Sequence, residues 1–197
     1  AGFVNSHYDK MKETPQGKQK IGELRAEKPI EVLFEGVHED IFKKIDTTLS
    51  DCELVRTLDE IPEKKCFLFV GLWGQGGFGE DRKDTGMMLK VFLETFKGKK
   101  KKPALIMKTS GAGFSVIDRK DILNKIKMIK DNIPSEDLPD IYLLHGDLTD
   151  EEMNQMYNHP KVKAHLTFTH GEGFGRPLLE ASFSGKPILA PIATGQA

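Results

Sequence analysis

The chain has 197 residues, 30% of them charged and 38% hydrophobic, which fills one substantial core with room for a fragment of a second and excludes a disordered or collagen-like chain. Lys and Arg number 29 against 30 for Asp and Glu, a formal net charge of −1, so no global field draws the protein to nucleic acid or an anionic bilayer and any anion site must be local. Two cysteines, Cys52 and Cys66, are too few for a disulfide framework and lack metal-ligand spacing; they read as buried thiols in a reducing cytosol. No apolar run approaches the ~20 residues a membrane-spanning helix needs, and no charged-then-apolar leader opens the chain, so a cytoplasmic location is expected.

Residues 1–29 are polar and Lys-rich with scattered Phe3, Val4, Ile21 and Leu24, and they read as a surface helix or linker. From Ile30 onward short β-rich runs alternate with helical stretches, the signature of βαβ units around a mostly parallel, buried sheet. Strands are expected over 30–34, 66–70, 104–108, 141–145, 164–169 and 187–190. Between them, Met88, Val91, Phe92, Thr95 and Phe96 fall on one helical face, as do Ile122, Leu123, Ile126 and Ile129. Thr149 followed by Glu152 is a capping box that starts a helix near Asp150 to Tyr157. Lys99 to Lys102 reads as a solvated turn. Only seven residues follow the last strand, leaving one face of it uncovered, so the chain is expected to be part of a longer polypeptide.

The strongest local feature is His170-Gly171-Glu172-Gly173-Phe174-Gly175-Arg176-Pro177-Leu178-Leu179-Glu180. It joins an expected strand to an expected helix through three glycines, with proline in the first helical turn. Such a junction aims unpaired backbone N–H groups at one spot, where an anion can sit, and glycine lets a ligand approach the backbone closely. Glu172 and Glu180 flank that spot, and their natural partners are hydroxyls. A phosphate between acidic hydroxyl acceptors is the chemistry of a nucleoside-diphosphate sugar. On the residues alone, a tight strand-to-helix turn for the glycines and a solvated face for the two acids is the commoner use of such a segment.

Glu172 and Glu180 stand in an E-x7-E arrangement, and EGFGRPLLEASFSGKPILAP resembles the corresponding stretch of retaining GT-B glycosyltransferases of group 1 (family 4). Phe67-Leu68-Phe69-Val70-Gly71 is similar to the first strand and glycine of that family's C-terminal nucleotide-binding domain. Arg82-Lys83 falls where a basic phosphate-binding residue precedes the first helix. Residues 141–152 resemble the strand and helix beside the base pocket, with Gly146 at the turn. Val32 to Val37 is similar to the linker entering the domain, and Phe3 to Ser6 to the end of the one before it.

The resemblance implies an α/β fold, a Rossmann-like parallel sheet flanked by helices, the C-terminal half of a GT-B enzyme. Residues 1–29 would then be a helical or linker segment from the end of a missing N-terminal acceptor domain, and 30–197 a donor-binding domain incomplete at its C-terminus. It further implies transfer of a hexosyl group from a UDP- or GDP-sugar to a hydroxyl acceptor with retention, by same-face attack assisted by the leaving phosphate. Neither metal nor cofactor would be needed, nucleic acid is no partner, and any peripheral membrane association would run through the missing domain. Glu180 would take ribose hydroxyls and Glu172 those of the transferred sugar. The backbone of Gly173, Phe174, Gly175, Leu178 and Leu179 would hold sugar and diphosphate. Lys83 would neutralise the diphosphate as it leaves, since fixed positive charge aimed at developing negative charge lowers a barrier. Gly71, Arg82, Lys108 and Gly146 complete the donor site. One departure is Leu72, where the family commonly carries Arg; Arg82 or Lys108 would substitute. The isolated chain is expected to bind donor and transfer nothing.

Two other readings compete. Gly74-Gln75-Gly76-Gly77-Phe78-Gly79 satisfies G-x-G-x-x-G after a strand, as in an NAD(P)-dependent oxidoreductase. However, the helix is expected only after Lys83, Glu80 and Asp81 would face the pyrophosphate, and Lys108-Thr109 ends the next strand where an acid should bind ribose. A non-catalytic nucleotide-binding module is the second. His145, His159, His165 and His170 match no compact ligand spacing, and Trp73 and Phe78 read as caps on a core.

Overall fold

The computed structural model describes residues 8–24, 35–74, 81–111 and 113–192. It divides into two compact units, Ala1–Gly36 and Val37–Ala197.

In the first unit, β1 (Tyr8–Thr14) and β2 (Gly17–Leu24) form an antiparallel hairpin. The helical reading of this stretch is therefore corrected. Pro15 and Gly17 at its centre are the two worst residues for a helix interior, and they form the turn instead, with Thr14 paired to Gly17. Lys20 then bridges Asp9 across the strands at 2.6 Å and Glu23 along its own strand at 2.8 Å. The strand expected over 30–34 lies outside the described residues.

The second unit is built on five parallel strands, β3 (Cys66–Leu72), β4 (Ala104–Ser110), β5 (Ile141–Leu144), β6 (Val162–Leu166) and β7 (Ile188–Leu189), in the order β5-β4-β3-β6-β7. The expected α/β class and five of the expected strands are present. Helices α1 (Glu53–Asp59), α2 (Thr85–Phe96), α3 (Val116–Asp131), α4 (Asp150–Asn158) and α5 (Arg176–Ser182) flank it; α1 was not anticipated. The chain runs outward from β3 through β4 to β5, then returns through α4 to place β6 on the other side of β3. Two loops leaving the C-terminal ends of β3 and β6 thus diverge in opposite directions, which opens a crevice between them.

Alternation along β3 and β4 explains why both faces are dry. Phe69, Leu105 and Met107 join one core with Met88, Leu89, Phe92, Leu93, Ile122 and Ile126, under α2 and α3. Leu68, Ala104 and Ile106 join the other with Leu54, Leu58, Tyr157 and Ala181, under α1, α4 and α5. Residues Ala104 to Met107 are all fully buried, which is why these strands read as continuous apolar runs. Two helical faces are rotated from expectation: α2 buries Thr85, Met88, Leu89, Phe92 and Leu93 while Thr95 is exposed, and on α3 Leu123 is exposed beside buried Ile122. Cys66 is buried, its thiol pushed up to about 11 by desolvation, whereas Cys52 is only half-buried.

His165 on β6 is buried, with neither ring nitrogen hydrogen-bonded among the described residues, and burial pushes its pKa from 6.5 down to about 4. An unfolded chain takes up this proton below pH 6.5 and the folded chain only near 4, so this contribution to stability is present above pH 6.5 and lost as pH falls towards 4. The difference in denaturant stability between pH 7.5 and pH 4.5 should therefore be smaller in His165→Leu than in the wild-type chain; an equal difference would show that His165 is not buried neutral.

Candidate functional site

At the crevice, the segment after β3 is pinned to the loop after β6. The turn at Asp81 to Asp84 closes with Asp84 N–H donating to Asp81 O at 2.8 Å. The Lys83 amide donates to Asp81 Oδ1 at 3.2 Å. Asp84 then takes a left-handed φ of 47° and caps α2. The Arg82 carbonyl accepts from the His170 amide at 2.9 Å and lies 3.2 Å from the Thr169 hydroxyl. These bonds fix the basic dipeptide beside the glycine-rich loop.

The outcome is an ion-paired cluster. Lys83 Nζ contacts Glu172 Oε1, and Arg82 Nη1 lies 3.2 Å from Glu172 Oε2 and also donates to Gly171 O. Lys83 and Glu172 side chains are only 13% and 11% exposed, Arg82 59%. Burial alone would raise the Glu172 pKa, but Lys83 and then Arg82 outweigh it and hold the carboxyl below its ordinary 4.5. Both cations converge on one acid, and the buried carboxylates of Asp81 and Asp84 flank them in the same turn, so the cluster carries no surplus of positive charge.

Gly175 N-caps α5 with φ +79°, a conformation that favours glycine. The amides of Leu178 and Leu179, which the sequence assigns to the diphosphate, both donate to Gly175 O, at 2.8 and 3.1 Å. There they close the first turn of the helix. Glu172 packs against this cap, since a Cβ on Gly175 would meet its Cγ at 3.7 Å.

Glu180 lies elsewhere in the bonding scheme. It is buried, accepts Arg176 Nε at 2.6 Å on Oε1 and the Tyr157 hydroxyl at 3.0 Å on Oε2, and is held above the ordinary carboxylate value by desolvation in spite of both. The two acids of the E-x7-E pair thus share no partner among these bonds. Neither Tyr157 nor Arg176 was identified from sequence. Arg176 was legible as the i,i+4 partner of Glu180; Tyr157 carried no local signal.

Further along the sheet edge, Lys108 at the end of β4 donates to Gly146 O at 2.7 Å and sits 5.1 Å from the Phe114 ring centroid, its pKa lowered by burial. His145 Nε2 pairs with Asp118 Oδ2 at 2.8 Å, and Asp118 also accepts the Gly111 amide. Gly71 lies close against a core ring: a Cβ there would meet Phe69 Cζ at 3.0 Å, so the ring would have to shift to admit one. Leu72 is 57% exposed at the strand end and Trp73 is a core residue. A cavity of about 690 Å³ opens between the ends of β6 and β7, lined by Thr167, Phe168, Thr169, His170 and Leu189 among others. The loop from Gln75 to Glu80 lies outside the described residues, but α2 starts at Thr85, so the glycine fingerprint ends well before the helix it would have to open. No group of metal-ligating side chains occurs among the described residues.

A doubly wound parallel sheet with a glycine loop at its switch point defines a Rossmann-like domain of the type found as the C-terminal half of GT-B enzymes. No family model and no curated protein sequence matches the chain. Among solved structures it is similar to the C-terminal domain of a glycosyl transferase group 1 family protein from Francisella tularensis, with 17% identity, a TM-score of 0.50, and coverage of 79% of this chain and 70% of that one. An E. coli structure described as trehalose-6-phosphate bound with UDP-2-fluoro glucose gives 14% identity, TM-score 0.55, and coverage of 96% and 42%. A UDP-forming α,α-trehalose-phosphate synthase from Burkholderia vietnamiensis gives 11%, 0.53, 73% and 33%. The chain therefore spans less than half the length of the last two. Likeness at these identities establishes the fold.

The Glu172 cluster has a direct test. Because its folded pKa lies below 4.5, its contribution is present above that pH and lost as pH falls through the folded value. Glu172→Gln should be less stable than the wild-type chain at pH 7, and the gap should narrow as the pH is lowered below 4.5; a gap independent of pH would mean that the ion pairs contribute nothing.

Proposed function

We propose that this chain is the donor-binding domain of a retaining glycosyltransferase that moves a hexosyl group from a UDP- or GDP-sugar to a hydroxyl acceptor. The observation that carries the reading is the convergence of Arg82, Lys83 and Glu172 at the switch point of the sheet. Lys83 and Arg82 take the diphosphate, whose negative charge grows as the glycosidic bond breaks; fixed cations beside it stabilise that charge without a metal. Glu172, released from them, accepts hydroxyls of the sugar, over the backbone of Gly173, Phe174 and Gly175. Glu180 accepts the ribose hydroxyls, and Lys108 with Gly146 lines the neighbouring stretch towards the base. The exposed Leu72 leaves the strand end without a cation, a role that Arg82 fills through its contact with Glu172. Acceptor binding and turnover belong to the longer protein, in the cytoplasm, and this chain alone holds the donor without transferring it.

The reading is supported by the fold shared with glycosyltransferase domains and by the E. coli neighbour that holds UDP-2-fluoro glucose. It is tested by thermal melting. UDP or GDP at a hundredfold excess over Kd should stabilise the chain by about 2.7 kcal/mol, whereas NAD and NADP should leave the melting temperature unchanged. Lys83→Ala should weaken diphosphate binding about 10- to 100-fold, the usual loss for a charge-assisted hydrogen bond. Stabilisation by NAD but not by UDP or GDP would favour the oxidoreductase. A longer protein that binds these nucleotides yet neither transfers nor hydrolyses any nucleotide sugar would be a binding module.

A further inference from the structure

We propose that Tyr157 is a positioning residue that fixes the Glu180 carboxylate for the ribose of a bound nucleotide, leaving one carboxylate oxygen for the ligand. The inference deepens the donor-site reading and rests on it. Tyr157 stands in the last turn of α4, only 1% exposed. Its ring is set between Phe42, at 6.3 Å between centroids, and His165, at 6.0 Å edge-on. Nothing in that packing needs a hydroxyl, yet the phenol donates to Glu180 Oε2 at 3.0 Å, within the buried interior.

The two carboxylate oxygens are consequently unlike. Oε2 is held from inside the fold by a ring that cannot turn without disturbing the core. Oε1 is held at 2.6 Å by Nε of Arg176, a side chain 44% exposed, whose Nη2 already lies 3.4 Å from Asp150. A ribose diol can contest Oε1 against this half-exposed arginine, which keeps Asp150 as a second acceptor. It cannot contest Oε2. The charged groups facing Glu180 are Arg176 and, further off, Asp150; Tyr157 stays a neutral donor because burial raises its pKa, and His165 beside it is neutral above about pH 4. A hydrogen bond to the ionised form favours ionisation, so loss of the hydroxyl should raise the Glu180 pKa further.

Tyr157→Phe keeps the ring and its packing and deletes only the donor. With UDP and GDP as probes, the nucleotide Kd at pH 7 should rise about tenfold. Binding should be lost on acidification at a higher pH than in the wild-type chain, because ribose recognition needs the ionised carboxylate. The preference for UDP over 2′-deoxy-UDP should shrink towards unity. In a Glu180→Gln background, Tyr157→Phe should have no further effect on Kd. If instead the variant melts earlier but keeps the wild-type Kd, acid midpoint and UDP to 2′-deoxy-UDP ratio, Tyr157 is only a packing residue and the inference is overturned while the donor-site reading stands. If the wild-type chain binds neither UDP nor GDP, the donor-site reading itself fails and takes this inference with it.

Discussion

Everything proposed for this protein depends on the bond between two loops that the sheet order sends in opposite directions. The strand order β5-β4-β3-β6-β7 leaves a gap beyond β3 and β6, and open backbone there would face water or a ligand. Among the described residues the two loops are joined backbone to backbone at the Arg82 carbonyl, which takes the His170 amide. From there the Arg82 and Lys83 side chains reach Glu172. Because the carbonyl bond is backbone to backbone, the position of the two cations is set by the fold, and the ion pairs can open to a ligand without the loops separating.

The two acids of the motif are held by opposite physics. Glu172 is kept ionised by two cations that overcome its burial; Glu180 is pushed towards its neutral form by burial that its partners do not overcome. A ligand bearing phosphate next to a polyol suits the pair. On the proposed reading the phosphate takes the place of Glu172 on Lys83 and Arg82, and hydroxyls take the place of the lost partners on both carboxylates. The free chain has, in this reading, filled its own site with internal stand-ins, Glu172 for phosphate and Arg176 for ribose. Such self-pairing lowers affinity, since each stand-in must be displaced, and it favours ligands that supply both replacements at once.

How much of this the sequence disclosed follows from the kind of contact. β3 and β4 were legible because burial on both faces writes an unbroken apolar run, and α4 because Thr149 and Glu152 satisfy each other's amides within four residues. The β1–β2 hairpin was misread because its Lys- and Glu-rich composition suits an exposed helix, and Pro15, Gly17 and Gly22 alone argue otherwise. The meeting of Lys83 with Glu172 spans 89 residues; family resemblance put both residues in the donor site but gave no contact between them. The commitment of Leu178 and Leu179 to Gly175 was missed because motif reading gives which backbone is near a ligand, not where its N–H groups point. Tyr157 was missed because a buried tyrosine near a helix end looks like any core aromatic until its hydroxyl finds a carboxylate.

The central claim is that an activated sugar nucleotide lies across the β3 and β6 ends with its diphosphate on Lys83. A crystal of the chain grown with UDP or GDP measures this directly. The account predicts phosphate oxygens within hydrogen-bonding distance of Lys83 Nζ, with Glu172 released from it and ribose oxygens on Glu180 Oε1. Nucleotide bound with Lys83 and Glu172 still paired, or seated away from the loop between His170 and Gly175, would contradict it.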